Sequence, residues 1–133
     1  MNLSGPKKIF DMDRFLPAEG EARANILYVS GDLNVHVFYE KEEFAEIEAQ
    51  LNIHFYRAKY FFKTPFPGFS FFSCQGDREL SLLNSIVEYE YSDMLEIERS
   101  MSGFSDYKHF RLFLHSIGEA IHVIAKSVDV SNG

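Results

Sequence analysis

The polar and apolar positions between residues 26 and 56 alternate in the manner of β-strands. Residues 26–30 and 33–39 are rich in β-branched and aromatic side chains, and Gly31-Asp32 between them suits a two-residue hairpin turn. Within residues 41–56, the twelve residues 45–56 alternate strictly, with apolar side chains at every second position from Ala45 to Phe55. This period of two predicts a long strand, although the Glu- and Ala-rich composition of the same segment leaves a short helix as the alternative.

Further strands are predicted as far as residue 74. Residues 60–62 and 69–73 are aromatic, and residues 64–68 between them contain two prolines and a glycine, which predict a loop. We therefore expect an antiparallel sheet of about four or five strands over residues 26–74. Residues 1–25 are expected to form an N-terminal arm that packs on the domain, and residues 129–133 a short tail.

The apolar positions change to a helical period in the C-terminal half. Gly103 stands where a helix C-cap glycine is expected and Ser105 suits the N-cap of a following helix. These signals predict an antiparallel helical hairpin over residues 77–128, packed on one face of the sheet. The alternation of Val87, Tyr89 and Tyr91 with Glu88 and Glu90 leaves a strand at 86–91 as the alternative. The two stripes consist of Leu80, Leu83, Val87, Tyr91, Met94, Ile97 and Met101, and of Phe110, Phe113, Leu114, Ile117, Ile121, Ile124 and Val128.

Strands followed by helices, without regular alternation, predict an α+β fold, and 133 residues suit one domain spanning 1–133. Cys74 is the single cysteine, so no internal disulfide can form, and its apolar neighbours predict a buried side chain. The sequence shows no leader and no apolar run long enough for a membrane helix, so we expect a cytoplasmic protein without membrane contact.

The formal net charge is −7, which argues against nucleic acid as a partner, and the acids concentrate in residues 40–52 and 77–101. Clustered carboxylates steer association with a positively charged partner. We therefore predict a non-enzymatic module that binds a basic protein, as an immunity protein, an antitoxin, another inhibitor or a secretion chaperone would. The expected partner-binding residues are Glu40, Glu42, Glu43, Glu46, Glu48, Glu88, Asp93 and Glu96.

The sequence contains no catalytic, cofactor or metal motif on which to base an enzyme. His115, Glu119 and His122 include a Glu-x-x-His spacing found in helical di-iron proteins, but the helical pattern places all three on the polar side, opposite the apolar stripe. A di-iron site needs a second such motif facing inward. We therefore predict a solvated polar face here and no bound metal or cofactor.

An alternative function follows from the aromatic and basic segment 55–72. Rings next to Arg57, Lys59 and Lys63 could stack on a small ligand or on the bases of a single-stranded nucleic acid. This alternative requires exposed rings, and Phe69, Phe71 and Phe72 on a predicted strand are the ones that would decide it. The chain has 14 Phe and 7 Tyr, an aromatic surplus that leaves a homodimer open.

Overall fold

The computed structural model describes residues 2–17, 20–41, 44–102 and 106–133, with the side chains of 44–47 and 102 left out. Nine strands and three short helices lie in this described part. Short 3-10 turns cover Met12–Arg14 and Gln75–Arg78. In chain order the elements are β1 Leu3–Asp11, β2 Arg23–Val29, β3 Asp32–Lys41, β4 Phe44–Tyr56, β5 Tyr60–Pro65, α1 Gly68–Ser73, α2 Leu80–Leu83, β6 Ser85–Ser92, α3 Asp93–Ser102, β7 Lys108–Leu114, β8 Glu119–Ala125 and β9 Ser127–Asn132.

The strands form two antiparallel sheets. Sheet A has the order β1-β6-β7-β8-β5, and sheet B has the order β2-β3-β4-β9. The chain passes between the sheets twice at one corner, from β4 to β5 and from β8 to β9. There the Lys126 N–H donates to the Tyr56 carbonyl at 2.9 Å, and the Lys59 N–H donates to the Ile124 carbonyl at 2.8 Å. These two bonds hold the paired strands together as they change sheets.

The core lies between the two sheets. Sheet B contributes alternate residues of β3 and β4, and sheet A contributes Ile86 of β6 and alternate residues of β7 and β8. Because the other side of sheet B faces solvent, β3 and β4 alternate between apolar and polar side chains, and the prediction of a strand over 41–56 is confirmed for β4. The core side chains include Leu33, Val35, Val37, Leu51, Ile53, Phe55, Ile86, Phe110, Leu112, Leu114, Ile121 and Val123.

Sheet A is buried on its second face as well. The segments α1, α2, α3 and the 3-10 turn Gln75–Arg78, here called the helical cap, lie against this face. Leu82 of α2 and Leu95 of α3 are buried, and Phe69 of α1 packs on a second apolar cluster with Tyr89 and Val87 of β6. The described chain therefore has three layers: the helical cap, sheet A and sheet B. None of its helices is long and apolar enough to cross a bilayer.

The predicted α+β class with a helical hairpin over 77–128 is wrong. Within that range the described residues form β6, β7, β8 and the start of β9, and the helices are limited to α2 and α3. The alternative strand at 86–91 is correct, since β6 covers Ser85–Ser92. Gly103 and Ser105, the expected caps, lie outside the described residues.

Residues 110–128 show a helical spacing of apolar residues because the sheet that they help to form is covered on both sides. Phe110, Leu112 and Leu114 face sheet B, while the intervening His109 and Arg111 face the helical cap, and all five are buried. Doubly covered strands lose the alternation of polar and apolar residues, and their apolar runs match a helical template by coincidence. The break at Gly118, with a φ of 71°, marks the turn between β7 and β8.

Four smaller predictions also need correction. The N-terminal arm contains β1, which pairs with β6 as an edge strand of sheet A. Residues 69–73 belong to α1 rather than to a strand. Residues 129–132 of the expected tail belong to β9, which pairs with β4.

The hairpin of β2 and β3 is confirmed, but its two-residue turn is Ser30-Gly31, because Val29 pairs with Asp32. Ser30 and Gly31 have φ values of 55° and 84°, which a primed turn requires. The single domain over 1–133 stays a prediction.

Candidate functional sites

A buried ion pair lies between sheet A and the helical cap. Arg111 on β7 and Asp77 on the cap's 3-10 turn are both 0% exposed, with 3.1 Å between Nη2 and Oδ1. The Arg111 Nη1 donates to the carbonyls of Leu82 at 3.0 Å and Ser85 at 3.2 Å. The Tyr89 hydroxyl donates to the other oxygen of Asp77, and burial together with that carboxylate raises the pKa of Tyr89 far above its usual value. The pair therefore fastens the helical cap to β6 and β7.

Two buried histidines extend this polar layer. His109 Nδ1 lies 2.6 Å from Ser92 Oγ, and His109 Nε2 lies 2.9 Å from His122 Nδ1. Ser92 Oγ already accepts the Met94 N–H, so its own proton is available for His109. Burial lowers the pKa of His109 to about 4. Burial, and then the charges of His109 and Arg111, lower the pKa of His122 further. Both rings are therefore neutral at neutral pH.

The polar layer is closed to substrates. His109 and His122 are 0% and 1% exposed, and Arg111, Asp77 and Tyr89 are buried to a similar degree. The His122 ring stacks on Phe62 with 5.0 Å between centroids and on Phe69 with 4.7 Å, which fills the space beside it. Groups with perturbed pKa values mark catalytic sites only when a substrate can reach them. In this conformation the layer holds sheet and cap together.

The outer face of sheet B, unlike the buried polar layer, is accessible to solvent. We call the outward side chains of its four strands the open face; none of them is buried where the structure describes it, so no described element covers them. At one end Leu27, Val29 and Tyr56 are 47%, 61% and 39% exposed. At the other end Glu40 lies directly opposite Glu48. The positions between these ends carry Asn25, Asn34, His36, Phe38, Gln50, Asn52 and His54.

Hydrogen bonds hold the Tyr56 end of the open face in place. His54 Nε2 lies 3.0 Å from Asp32 Oδ2, and the Arg57 N–H donates to Asp32 Oδ1 at 2.9 Å. The Arg57 N–H, followed by the bond to His54, lowers the pKa of Asp32. The Tyr56 ring stacks on the His54 ring with centroids 4.0 Å apart. The exposed Tyr56 ring therefore packs against a neighbouring ring that Asp32 holds by a hydrogen bond.

The acidic residues predicted to bind a partner lie in separate parts of the fold. Glu40 and Glu48 are on sheet B, and Glu48 pairs with Arg23 at 2.5 Å between Nη2 and Oε1. Arg23 in turn covers the Phe38 ring, with 3.9 Å from its guanidinium carbon to the ring centroid. Glu42, Glu43 and the side chain of Glu46 lie outside the described residues.

The second predicted acidic group lies on β6 and α3. Glu88 is half-buried opposite Lys7 of β1. Asp93 accepts the Asn2 N–H at 2.7 Å and the Tyr91 hydroxyl at 2.8 Å, and the Asn2 contact, followed by that with Tyr91, lowers its pKa. Glu96 pairs with Arg99 at 3.0 Å. Neighbours inside the chain therefore engage Asp93 and Glu96, as they engage Glu48.

His115, Glu119 and His122 do not share a helical face. His115 is exposed and contacts the Asn84 side chain, Glu119 pairs with Lys63 at 3.1 Å, and His122 is buried under the cap. The prediction of a common solvated face is wrong for His122, because residues 119–125 form β8. No cluster of three or more metal-ligating side chains occurs in the described ranges. Cys74 is buried, as expected, and burial raises the pKa of its thiol.

The aromatic and basic segment is divided between strand and helix. Tyr60 and Phe61 on β5 are 41% and 40% exposed, and Phe72 on α1 is 72% exposed, while Phe69 and Phe71 are half-buried. Lys59 pairs with the buried Glu98 at 2.7 Å, which raises the pKa of Lys59. Together with the Lys63–Glu119 pair, this contact engages the segment's two lysines with carboxylates of the same chain.

Sequence patterns did not point to the polar layer of Asp77, Tyr89, Arg111 and the two histidines. The signal that could have found it is a polar residue flanked by apolar ones, as in Phe-Arg-Leu at 110–112 and Ile-His-Val at 121–123.

Compared with protein-family models, curated proteins and solved structures, the chain gives no match in any of the three.

Proposed function

We propose that this chain is a non-enzymatic protein-binding module whose partner docks on the open face of sheet B. The observation that carries the proposal is the combination of exposed apolar side chains at the Tyr56 end with hydrogen-bonding side chains across the rest of the face. Protein interfaces combine apolar and hydrogen-bonding side chains in this way. Tyr56 suits the apolar part of the contact, because aromatic residues are frequent binding hot spots.

The partner in this proposal carries net positive charge at its contact surface. The net charge of −7 favours encounter with such a partner, and exposed Glu40 at the far end of the open face would meet it. Glu88, Asp93 and Glu96 add to the long-range field and stay outside the direct contact. The narrower roles of immunity protein, inhibitor or chaperone have no support from the structure or from the comparisons, so the proposal is limited to binding.

Affinity purification from the native cell tests this proposal when wild type is compared with matched variants. Tyr56→Ala and Glu40→Lys change the open face, while Ile97→Ser changes an exposed apolar residue on α3 as the control. We expect one protein retained by wild type and by Ile97→Ser, with roughly tenfold or weaker binding to Tyr56→Ala. Binding that falls with ionic strength supports the charge argument. Equal retention by all variants, or loss with Ile97→Ser alone, contradicts the proposal.

The alternative of a small ligand or single-stranded nucleic acid is favoured by the exposed rings of Tyr56, Tyr60 and Phe61. The ion pairs that engage Lys59 and Lys63 weaken it, since phosphate binding needs free cations. Fluorescence anisotropy with labelled single-stranded oligonucleotides tests it. Binding that is lost in Tyr60→Ala and retained in Phe72→Ala would favour this alternative over the protein partner.

A further inference from the structure

The four edges of the two sheets differ in how well they are protected against pairing with another strand. On sheet A, β1 carries Pro6, Lys7 and Lys8 and a shift of register between Lys8 and Phe10, and β5 carries Lys63 and Pro65. On sheet B, β9 has Asp129 within its six residues. Prolines, charges and bulges of this kind prevent one sheet edge from adding to another.

The remaining edge, β2, lacks prolines and bulges, and its interior carries no charge. Its seven residues pair with β3 in one unbroken register, and its one charged residue, Arg23, stands at the first position. Leu27, Tyr28 and Val29 are each exposed by nearly half or more. A regular, largely apolar edge without an internal charge is where a strand from another molecule can add.

We propose that a second copy of this chain pairs with β2 in antiparallel fashion about a two-fold axis at Ile26. Symmetric pairing then places Ala24 opposite Tyr28 and Asn25 opposite Leu27 of the other copy, so small residues face large ones. Arg23 lies opposite Val29 of the other copy, so no two like charges meet. The two Arg23 residues stay roughly 20 Å apart, since each strand position adds about 3.3 Å.

Charge favours this edge over the rest of the surface. Each copy carries −7, which opposes approach in general, whereas β2 contains no acid and its one charged residue is the cation Arg23. Closed two-fold dimers are also the commonest oligomers, because one self-complementary patch suffices. The pairing joins two copies of sheet B into one eight-stranded sheet with the open faces on the same side. It uses the main chain of β2 and does not depend on the proposed protein partner.

Changing the charge at Val29, which lies opposite Arg23 of the other copy, tests the pairing directly. Sedimentation equilibrium over a range of concentrations measures the dimerisation of each variant. We expect wild type to dimerise and Val29→Lys to dimerise about tenfold more weakly, because the new ammonium lies opposite Arg23 twice per dimer. Val29→Glu is expected to dimerise at least as tightly as wild type. Net charge alone predicts the reverse order, since Val29→Glu makes each copy more acidic.

The matched control is Ile97→Lys, which alters an α3 residue that is 60% exposed, against 61% for Val29. Circular dichroism confirms that each variant is folded, and hydrogen exchange reads protection of the β2 amides as concentration rises. A wild type that stays monomeric at the highest concentration overturns the proposal. So does a dimer that Ile97→Lys weakens and Val29→Lys does not, or one in which Val29→Glu is the weaker of the two Val29 variants.

Discussion

Removing the Asp77 carboxylate is the perturbation for which the structure gives the clearest expectation. In Asp77→Ala the Arg111 guanidinium stays buried with no carboxylate beside it, keeping the carbonyls of Leu82 and Ser85 and the face of the Phe113 ring, and the Tyr89 hydroxyl loses its acceptor. Breaking one side of a buried ion pair costs about 3–5 kcal/mol, because the remaining charge is left without compensation. Domains of this size unfold with about 5–15 kcal/mol in total, so a large share of the stability should disappear.

Urea unfolding followed by far-ultraviolet circular dichroism measures this loss. The control is Glu96→Ala, which breaks an ion pair whose two side chains are about half exposed and should cost roughly 0.5 kcal/mol or less. The dependence of the unfolding free energy on urea must be unchanged for the comparison to hold. A triple variant, Asp77→Leu with Tyr89→Phe and Arg111→Met, should recover at least part of the loss, since an apolar set can replace a buried ionic one.

Equal losses of stability in Asp77→Ala and Glu96→Ala would contradict this expectation. That result would mean that Arg111 reaches water in the folded chain, and that the helical cap does not seal the second face of sheet A. A triple variant less stable than Asp77→Ala would instead refute the assignment of the loss to an uncompensated charge.

Three further predictions concern pH, a turn and a partly exposed ion pair. Stability should fall as pH drops from about 6.5 towards 4, because burial lowers the pKa of His109 and His122 and only the unfolded chain takes up protons on them in this range. By pH 5 the loss in unfolding free energy is about 2 kcal/mol per histidine, at about 1.4 kcal/mol per pH unit, as measured from urea midpoints. Stability profiles of wild type and His109→Gln that coincide over this range would contradict the prediction. Ser30→Asn should raise the unfolding free energy by about 0.5 kcal/mol, since Asn tolerates positive φ better than Ser; an unchanged or lower melting temperature would refute this. Lys59→Met should lower the stability measured by urea unfolding, because it removes a charged hydrogen bond from buried Glu98. A loss no larger than that of Lys126→Met would contradict this expectation.

Sequence patterns predicted β2, β3 and β4 of sheet B well and most of sheet A poorly, for one physical reason. The fourth strand of sheet B, β9, was assigned to the end of a helix and a tail. One face of sheet B is in solvent, so Val35, Val37 and Ile53 alternate with Asn34, His36 and Asn52. This period of two in the sequence indicates strands. In sheet A, Phe110 and Leu112 face one buried layer and His109 and Arg111 face another. The alternation that identifies a strand is therefore absent from β7 and β8.

Exposed candidate residues could be predicted from the sequence more easily than buried ones. Glu40 and the exposed rings of Tyr56 and Tyr60 lie in segments that the sequence had marked for their charge or aromatic content. Apolar neighbours mark Arg111 and His122 as buried, but their assembly with Asp77 into one polar layer could not be predicted, because the three residues come from distant positions in the chain. Only the pairing of β6, β7 and β8 and the docking of the helical cap bring them together.

Carbethoxylation of the five histidines by diethyl pyrocarbonate, read by mass spectrometry, tests the central claim that one sheet is sealed and the other has an open face. The structure predicts modification of His36 and His54 on the open face and of the exposed His115, with His109 and His122 protected until the chain unfolds. Rapid modification of His122 together with His115 would contradict it, since that result belongs to a solvated helical face rather than to β8 under a cap.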